Sequence, residues 1–210
     1  MSHPRTRIKI CGLRTVDDAL AAADAGADAI GLVFYAPSPR CIERQAAQAI
    51  VAALPPFVTA VGLFVDAAPD EVRAMHAAVG FDLAQYHGDE TPEQCAAAGL
   101  PFIKAIRMRP GVDLLQCSAE FAAARGLLVD AYTPGVPGGT GHGFDWSRIP
   151  SGLGLPLILS GGLSADNVGA AVRSVRPYAV DVSSGVERDK GIKCADRVRD
   201  FIREVRHADV

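Results

Sequence analysis

The fold is decided by a short stretch near the start of the chain, Ile8-Lys9-Ile10-Cys11-Gly12-Leu13. This isoleucine-rich run is typical of a buried strand, and it breaks at the glycine that follows Cys11. Later apolar runs end in a similar way, at Asp130, at Gly161-Gly162 and at Ser183-Ser184-Gly185. Because the parallel strands of an α/β barrel end at one rim, where this fold carries its active sites, we expect these groups to share one site.

The composition of the 210-residue chain is that of an ordinary globular protein, with 49% hydrophobic and 21% charged residues. A net charge of −3 gives no sign of a nucleic-acid or membrane-surface partner. The first residues lack the apolar core of a signal peptide, and no apolar run is long enough to span a bilayer. The five cysteines fit neither a disulfide framework nor a zinc site. We therefore predict a cytoplasmic protein with no metal, nucleic-acid or membrane partner.

Strand-like and helix-like segments alternate along the whole chain without a break in composition. Most strand candidates are continuous apolar runs, as in a parallel sheet that is buried on both faces. The eight predicted strands are 7–11, 29–34, 58–65, 82–86, 102–107, 127–131, 156–160 and 178–183. The seven predicted helices are 15–25, 42–54, 69–79, 91–98, 113–124, 164–174 and 194–206. We predict a single α/β domain over residues 1–210, a (β/α)8 TIM barrel with its active site at the C-terminal rim of the strands; a doubly wound open sheet is the alternative.

Cys11 has two interpretations, since a cysteine in a strand is most often a small apolar filler. Lys9 lies two residues earlier on the same strand face, and a neighbouring ammonium lowers the pKa of a thiol and so supplies thiolate. If Cys11 faces the site, Lys9 faces the barrel interior, where an unpaired ammonium is strongly disfavoured. Asp181, on the neighbouring eighth strand, is the nearest candidate partner. We therefore predict a buried ion pair between Lys9 and Asp181.

Asp130 and two glycine-bearing loops are the other candidates at this rim. Asp130 follows three aliphatic residues, where a carboxylate is costly to bury without a partner. A loop cap is possible, but its place at a strand end favours a general acid. Gly161-Gly162 and Ser183-Ser184 follow the seventh and eighth strands, whose loops commonly bind phosphate in this fold. We predict a phosphate site there, against the simpler interpretation of two tight turns.

Three further features carry weaker signals. Arg40 follows Pro37-Ser38-Pro39. It is either a solvated loop arginine or a residue whose planar guanidinium binds a carboxylate through two hydrogen bonds. His87 shares a strand face with Gln85, and no metal-binding spacing accompanies it. The glycine-rich loop Gly138–Gly143 lacks the ending of a nucleotide-binding loop, so we interpret it as a flexible lid.

Seven blocks of sequence, in order from residue 9 to residue 187, together resemble the phosphoribosylanthranilate isomerase family in its single-function form. The blocks are Lys9–Leu13, Phe34-Tyr35 with Ser38–Arg40, Val61–Val65, Gln85–Glu90, Gly138–Gly141 with Phe144–Trp146, Ser160–Leu163 and Val180–Glu187. Each block alone is a weak signal, but their shared order over nearly the whole chain is highly specific.

The resemblance implies a barrel enzyme of tryptophan biosynthesis. Its reaction would convert N-(5-phosphoribosyl)anthranilate to 1-(2-carboxyphenylamino)-1-deoxyribulose 5-phosphate by an Amadori rearrangement, without a metal or organic cofactor. By position in the family motifs, Cys11 would be the general base, Asp130 the general acid and Arg40 the ligand of the anthranilate carboxylate. The phosphate of the substrate would lie on Gly161, Gly162, Ser183 and Ser184. His87 would help to orient the substrate, and the assembly would be a monomer or a homodimer.

Two departures from the family pattern are visible, at Tyr86, where an aliphatic residue is usual, and at Lys190–Cys194. We expect Tyr86 to be a packing residue and the second departure to affect only the start of the last helix. The alternative functions are another phosphosugar barrel, for which Lys104 is a weak catalytic candidate, and a non-catalytic phosphometabolite-binding barrel. The second of these would have no need for both Cys11 and Asp130.

Overall fold

The computed structural model describes residues 5–132 and 144–209, so the glycine-rich loop Gly138–Gly143 lies outside the described residues. Eight parallel strands form a closed barrel in chain order, with the first strand hydrogen-bonded to both the second and the eighth. The strands are β1 (Arg7–Cys11), β2 (Ala29–Val33), β3 (Thr59–Phe64), β4 (Leu83–Tyr86), β5 (Phe102–Arg107), β6 (Leu127–Asp130), β7 (Leu157–Leu159) and β8 (Ala179–Val182). The TIM-barrel prediction is therefore confirmed, and each strand lies within the segment predicted for it.

Within residues 5–132 and 144–209, seven helices connect or follow the strands: α1 (Val16–Asp24), α2 (Arg44–Ala53), α3 (Pro69–Val79), α4 (Pro92–Ala97), α5 (Leu114–Glu120), α6 (Ala165–Val175) and α7 (Ala195–Ala208). Local sequence sets the ends of these helices. The Thr15 hydroxyl accepts a hydrogen bond from the Asp18 amide at the start of α1. Gly80 ends α3 with a left-handed φ of 78°. Helix α5 is shorter than the predicted 113–124, because the backbone leaves helical geometry at Phe121.

Two short features after β8 were not predicted. A single 3-10 turn, Ser184–Val186, leads into an antiparallel pair of short strands, β9 (Glu187–Asp189) and β10 (Ile192–Lys193). Another 3-10 turn, Trp146–Arg148, precedes β7. The hairpin holds Glu187 and Lys193 against the C-terminal rim of the barrel, as their contacts below show.

The residues of each barrel strand alternate between two environments. Outward residues such as Ile8 and Ile10 belong to the main hydrophobic core, which also contains helix residues and therefore lies between the strands and the helices. A smaller cluster contains strand residues alone and fills the barrel interior: Ile103, Ala105, Leu128, Ile158 and Ala179. By the same alternation Lys9, Cys11 and Asp130 face inward. Within the described residues, no helix combines the length and apolar character needed to cross a membrane.

Candidate active site

A buried ion pair lies inside the barrel beside Cys11. The register of β1 against β8 sets Lys9 opposite Asp181, and Lys9 Nζ donates a hydrogen bond to Asp181 Oδ1 over 2.8 Å. Both side chains are about 6% exposed. The predicted Lys9–Asp181 pair is therefore confirmed. The Lys9 ammonium also lies beside the Cys11 thiol, because a Cβ atom placed on Gly31 would contact both Lys9 Nζ and Cys11 Sγ.

The ionisation of Cys11 differs from the sequence-based expectation. Burial raises the pKa of the Cys11 thiol, while the ammonium groups of Lys9 and Lys193 oppose that rise without reversing it. Lys9 lowers the pKa of the thiol, as expected, but desolvation of the thiolate outweighs the attraction of the nearby cations and the net pKa is raised. Lys9 still matters, since the pKa of Cys11 would be higher without it.

Gly31 on β2 provides the space in which this thiol and this ammonium meet. A Cβ atom at position 31 would lie 2.7 Å from Cys11 Sγ and 3.1 Å from Lys9 Nζ. The register pairs Cys11 with Gly31 across β1 and β2. Any side chain at position 31 would therefore have to displace the sulfur or the ammonium.

Asp130, at the end of β6, is held by His87 and by its own loop. His87 Nε2 lies 3.1 Å from Asp130 Oδ2, and the Ala131 amide donates to Asp130 Oδ1 over 2.9 Å. On the other side of the imidazole ring, Gln85 Nε2 lies 3.1 Å from His87 Nδ1. All three side chains are buried. The structure thus brings two predicted site residues, His87 and Asp130, into direct contact and adds Gln85 behind them.

Arg40 lies at the rim but is neither solvated nor turned away from the site. Its Nε and Nη2 donate to Glu187 Oε1 and Oε2 over 2.7 and 2.9 Å, and Arg40 is buried. The aliphatic part of the Arg40 side chain packs against the backbone at Gly12, next to Cys11: a Cβ atom on Gly12 would lie 2.6 Å from Arg40 Cδ. The interpretation of Arg40 as a solvated loop residue is therefore wrong.

Glu187 accepts hydrogen bonds from two cations. Besides Arg40, Lys193 Nζ donates to Glu187 Oε1 over 2.8 Å. Burial acts to raise the pKa of Glu187, but the Arg40 hydrogen bond and the Lys193 ammonium outweigh it and hold that pKa below its ordinary value. Lys193 itself has a pKa lowered by burial, which its pairing with Glu187 partly offsets. The cluster therefore brings a net positive charge close to Cys11.

The two predicted phosphate loops touch each other. Gly161 and Gly162 both adopt left-handed φ angles, 85° and 67°, which favour glycine. Gly185 has no room for a side chain, because a Cβ atom there would lie 1.9 Å from the Leu163 carbonyl oxygen. The Asn167 amide fixes the first loop by donating to the Gly162 carbonyl and accepting from the backbone amide at the start of α6. The predicted loops are thus adjacent, and the N-terminus of the 11-residue helix α6 follows directly.

The second loop is also tied to Cys11. The Ser183 hydroxyl donates to the Cys11 carbonyl oxygen over 3.0 Å, and Lys193 Nζ donates to the Ser183 carbonyl oxygen over 3.0 Å. Lys193 lies in the segment Lys190–Cys194, so this segment reaches the site as well as the start of the last helix.

Other residues of interest have structural positions. Lys104 faces outward from β5 and is buried against Glu90, with Nζ–Oε2 2.6 Å, so it is not available as a catalytic lysine inside the barrel. Tyr86 packs edge-on against Phe102, as expected for a packing residue, and burial raises the pKa of its phenol to about 12. Across the described parts of the chain, no group of three or more histidine, cysteine or carboxylate side chains could hold a metal ion.

Sequence reasoning missed four residues that support this site: Gln85, Asn167, Glu187 and Lys193. Asn167 had a detectable signal, since it lies three residues after Ser164 in a helix-capping pattern. Gln85 shares a strand face with His87, but the sequence does not show that the two side chains meet. Glu187 and Lys193 act through contacts with other loops, which their local sequence does not indicate.

A comparison with known proteins decides the family. The model of the family described as N-(5'phosphoribosyl)anthranilate (PRA) isomerase matches residues 8–204. The chain belongs to this family. It is 60% identical over 202 residues to the N-(5'-phosphoribosyl)anthranilate isomerase of Azotobacter vinelandii, covering 96% of this chain and 98% of that protein. It is 58% identical over 202 residues to the enzyme of the same name from Pseudomonas putida, with the same coverage.

Solved structures of the same family agree with the fold. Phosphoribosyl anthranilate isomerase from Thermus thermophilus has a TM-score of 0.87 and 36% identity, covering 96% of this chain and 99% of that one. Another isomerase structure, in complex with reduced 1-(o-carboxyphenylamino)-1-deoxyribulose 5-phosphate, has a TM-score of 0.82 and 36% identity, with the same coverage. A structure of monomers generated from the dimeric isomerase of Thermotoga maritima has a TM-score of 0.80 and 33% identity, covering 96% and 98% of the two chains.

Proposed function

We propose that this member of the phosphoribosylanthranilate isomerase family uses Cys11 as general base and Asp130 as general acid. The reaction is the Amadori rearrangement of N-(5'-phosphoribosyl)anthranilate in tryptophan biosynthesis. One observation carries the assignment: both side chains face inward at the C-terminal ends of their strands, Cys11 beside the buried Lys9–Asp181 pair and Asp130 in contact with His87 and the Ala131 amide. Inward groups at that rim are where TIM-barrel enzymes carry out chemistry.

The first step opens the sugar ring. Asp130 donates its proton to the ring oxygen, and the bond between that oxygen and C1′ breaks to give an iminium ion conjugated to the anthranilate ring. The Ala131 amide and the His87 imidazole contact the two carboxyl oxygens of Asp130, and hydrogen bonds of this kind stabilise the carboxylate that remains.

The second step removes the proton from C2′. The iminium ion acidifies this C–H bond, and the Cys11 thiolate accepts the proton to give an enolamine, which tautomerises to the ketone product. Because burial raises the pKa of Cys11, the thiolate depends on the cations beside it, Lys9 and Lys193. The nitrogen of the substrate acts as the electron sink, so we propose that no metal or organic cofactor takes part.

Binding of both ends of the substrate supports these two steps. We assign the phosphate to the backbone amides of Gly161 and Gly162 and to Ser183 and Ser184, because the two loops are in contact at the start of α6. We assign the anthranilate carboxylate to Arg40, with His87 as an orienting group. Two fixed ends hold the reacting carbons between acid and base, which lowers the entropic part of the barrier.

We further propose that residues 1–210 form one domain, that the enzyme acts in the cytoplasm and that it is a monomer or a homodimer. The dimeric isomerase of Thermotoga maritima supports the second form of assembly. So does Phe57, which is fully exposed and held at a left-handed φ of 72° in the loop before β3. Light scattering gives the molar mass of the purified protein and so separates the two forms. If a dimer depends on Phe57, the wild type should have the mass of a dimer and Phe57→Ser the mass of a monomer.

The test of the proposed function is turnover of freshly prepared N-(5'-phosphoribosyl)anthranilate, followed by loss of its anthranilate-type fluorescence. We expect Asp130→Asn to lower kcat by about 10²-fold or more with a smaller change in KM, since it removes the acid and keeps the shape. Arg40→Ala should mainly raise KM, because a carboxylate grip acts in the ground state as well as the transition state. Asp113→Asn, which alters only the cap of α5, is the matched control. An Asp130→Asn enzyme with normal kcat would overturn the assignment of the acid.

A further inference from the structure

We propose that Gln85 is a positioning residue for the acid step. It fixes His87 as the Nε2–H tautomer, and His87 then holds one oxygen of Asp130 so that the other oxygen carries the proton to the substrate. The inference rests on the proposed role of Asp130 and goes beyond it, because it assigns separate tasks to the two carboxyl oxygens and a function to a side chain that does not itself carry out chemistry.

The first support is the position of Gln85. It faces inward from β4, is fully buried, and its Nε2 lies 3.1 Å from His87 Nδ1. Its other polar atom, Oε1, is buried without a hydrogen-bond partner among residues 5–132 and 144–209. An apolar side chain of the same length would avoid the cost of burying that oxygen. The favourable contribution of Gln85 therefore comes from its N–H group, which faces His87 Nδ1.

The second support is the hydrogen-bonding capacity of a neutral imidazole. One ring nitrogen donates and the other accepts. The structure places the Gln85 amide nitrogen, which can only donate, against His87 Nδ1; with the amide in this orientation Nδ1 accepts, and the ring proton is then on Nε2. That nitrogen lies 3.1 Å from Asp130 Oδ2, so it donates to the carboxyl group. With the acidic proton of Asp130 on Oδ1, the opposite tautomer would place the Nε2 lone pair against a lone pair of Oδ2, which is repulsive.

The third support is the different surroundings of the two oxygens of Asp130. Oδ2 faces His87, whereas Oδ1 accepts from the Ala131 amide and lies 3.0 Å from the point that a Cβ atom on Gly161 would occupy. Oδ1 therefore faces the first of the two loops assigned to phosphate. We place the acidic proton on Oδ1, because this oxygen faces the site and a carboxyl oxygen can accept the Ala131 amide while it carries a proton.

The step balances without any change in His87. The proton passes from Asp130 Oδ1 to the sugar ring oxygen, and the electron pair of the O–H bond stays on the carboxylate. The Nε2–H group of His87 donates to Oδ2 before and after the transfer, so the step leaves the protons of the imidazole where they are. Gln85 contributes by making the wrong tautomer unfavourable, which is a positioning role.

The tautomer can be observed directly by two-bond ¹H–¹⁵N correlation NMR in alkaline buffer, where imidazole rings are neutral. We expect the proton of His87 on Nε2 in the wild-type protein, with the resonance assigned by its loss in His87→Asn. Gln85→Glu, whose carboxylate can only accept, should move the ring proton to Nδ1. A wild-type spectrum with the proton on Nδ1 overturns the proposal, and this result needs no variant of Gln85 to fold.

Kinetics provide the second readout. Gln85→Met keeps the length of the side chain and removes the donor, and we expect kcat to fall about tenfold with little change in KM, the scale of one lost hydrogen bond. Gln85→Glu should lower kcat further. Gln48→Met, at an exposed glutamine of α2, is the control for the substitution itself. Unchanged kcat in Gln85→Met overturns the proposal if Asp130→Asn is inactive, whereas an active Asp130→Asn enzyme would instead contradict the proposed function.

Discussion

The inner and outer sides of the barrel wall carry the same kind of ion pair. Inside, Lys9 Nζ lies 2.8 Å from Asp181 Oδ1, and outside, Lys104 Nζ lies 2.6 Å from Glu90 Oε2. All four side chains are buried, and each pair lies near a buried thiol, Cys11 inside and Cys95 outside. Burial, distance and charge alone therefore do not distinguish the two pairs.

The difference lies in what else the lysine touches. Lys9 lies beside the Cys11 thiol, where both groups would contact a Cβ atom placed on Gly31. Lys104 instead donates to the Gly88 carbonyl oxygen, while Glu90 accepts the backbone amides of Asp66 and Gly88. The outer pair thus holds the loops after β3 and β4 together, whereas the lysine of the inner pair acts to lower the pKa of the thiol at the site. A buried lysine–carboxylate pair indicates chemistry only where a third, reactive group completes it.

The two thiols repeat this contrast. Burial raises the pKa of Cys95 to about 12, and Lys104 opposes that rise only by its charge, without a hydrogen bond. Burial also raises the pKa of Cys11, but two ammonium groups oppose that rise, Lys9 more strongly than Lys193. Cys95 packs in the main core between strands and helices, whereas Cys11 ends an inward strand face at the rim. We therefore expect Cys95 to be structural.

The largest effect should come from removing each thiol in turn. We expect Cys11→Ala to lower kcat by about 10²-fold or more with the fold retained, because it removes the base. Cys95→Ala should leave kcat and KM unchanged, apart from a modest loss of thermal stability through the small cavity it creates. Steady-state kinetics and thermal melts of both variants make the comparison. A Cys11→Ala enzyme with near-normal kcat would show that this thiol is only packing and that the base lies elsewhere.

The next effect concerns the two lysines. Lys9→Met removes a cation beside Cys11, so the pKa of the thiol should rise further and kcat should fall about tenfold, the scale of one charge-assisted hydrogen bond. The rate of Cys11 alkylation by iodoacetamide against pH, followed by peptide mass spectrometry, reports the thiol directly. Lys104→Met should leave that profile unchanged and lower thermal stability.

Each lysine variant leaves a buried carboxylate unpaired, which destabilises a protein by about 3–5 kcal/mol. The paired variants Lys9→Met/Asp181→Asn and Lys104→Met/Glu90→Gln therefore serve as the folded controls. If the two pairs shifted the alkylation profile of Cys11 equally, the distinction between an inner, functional pair and an outer, structural pair would fail.

Much of the barrel is predictable from the sequence, because its strands are apolar runs whose alternation is locally encoded. The Lys9–Asp181 pair follows from the same alternation, since a closed barrel must pair its first and last strands. The hairpin β9–β10 is different: Glu187-Arg188-Asp189 is charged and carries no strand pattern. Its shape comes from tertiary contacts, namely those of Glu187 with Arg40 and of Lys193 with Ser183.

The candidate site is predictable in its positions but not in its energetics. Strand ends locate Cys11 and Asp130 at one rim, and topology places the two glycine-bearing loops side by side. The direction of the Cys11 pKa shift was missed, because it depends on how much water the folded site excludes, and sequence does not give that quantity. The contact of Gln85 with His87 was missed for a similar reason, since sharing a strand face does not fix a side-chain rotamer.

Gly31 and Gly62 permit a smaller, matched test of the inner side. A Cβ atom at Gly31 would meet Cys11 Sγ at 2.7 Å, and one at Gly62 would meet the Phe81 ring at 3.0 Å. Both Gly→Ala variants should lose about 1–3 kcal/mol through overpacking, measured by urea denaturation. Gly31→Ala alone should also lower kcat and change the pH dependence of Cys11 alkylation. Equal kinetics in the two variants would mean that the thiol and the ammonium tolerate displacement.

The smallest effect is the contribution of Glu187 to stability against acid. The hydrogen bond from Arg40 and the charge of Lys193 hold the pKa of this carboxyl below its ordinary value, although burial acts in the opposite direction. A carboxyl whose pKa is lower in the folded state stabilises the protein above its unfolded pKa, about 4.3, and loses that contribution as pH falls through the folded pKa. Glu187→Gln should therefore melt below the wild type at pH 7, and the difference should narrow on acidification below about pH 4.

The matched control for this carboxyl is Glu43→Gln, since Glu43 is exposed and makes no side-chain hydrogen bond at the start of α2. We expect its melting temperature to follow that of the wild type at every pH. A difference between Glu187→Gln and the wild type that stays constant from pH 7 to pH 3 would contradict the argument. It would show that the cations beside Glu187 stabilise the hairpin through packing of their stems over the rim and not through the charge of the carboxylate.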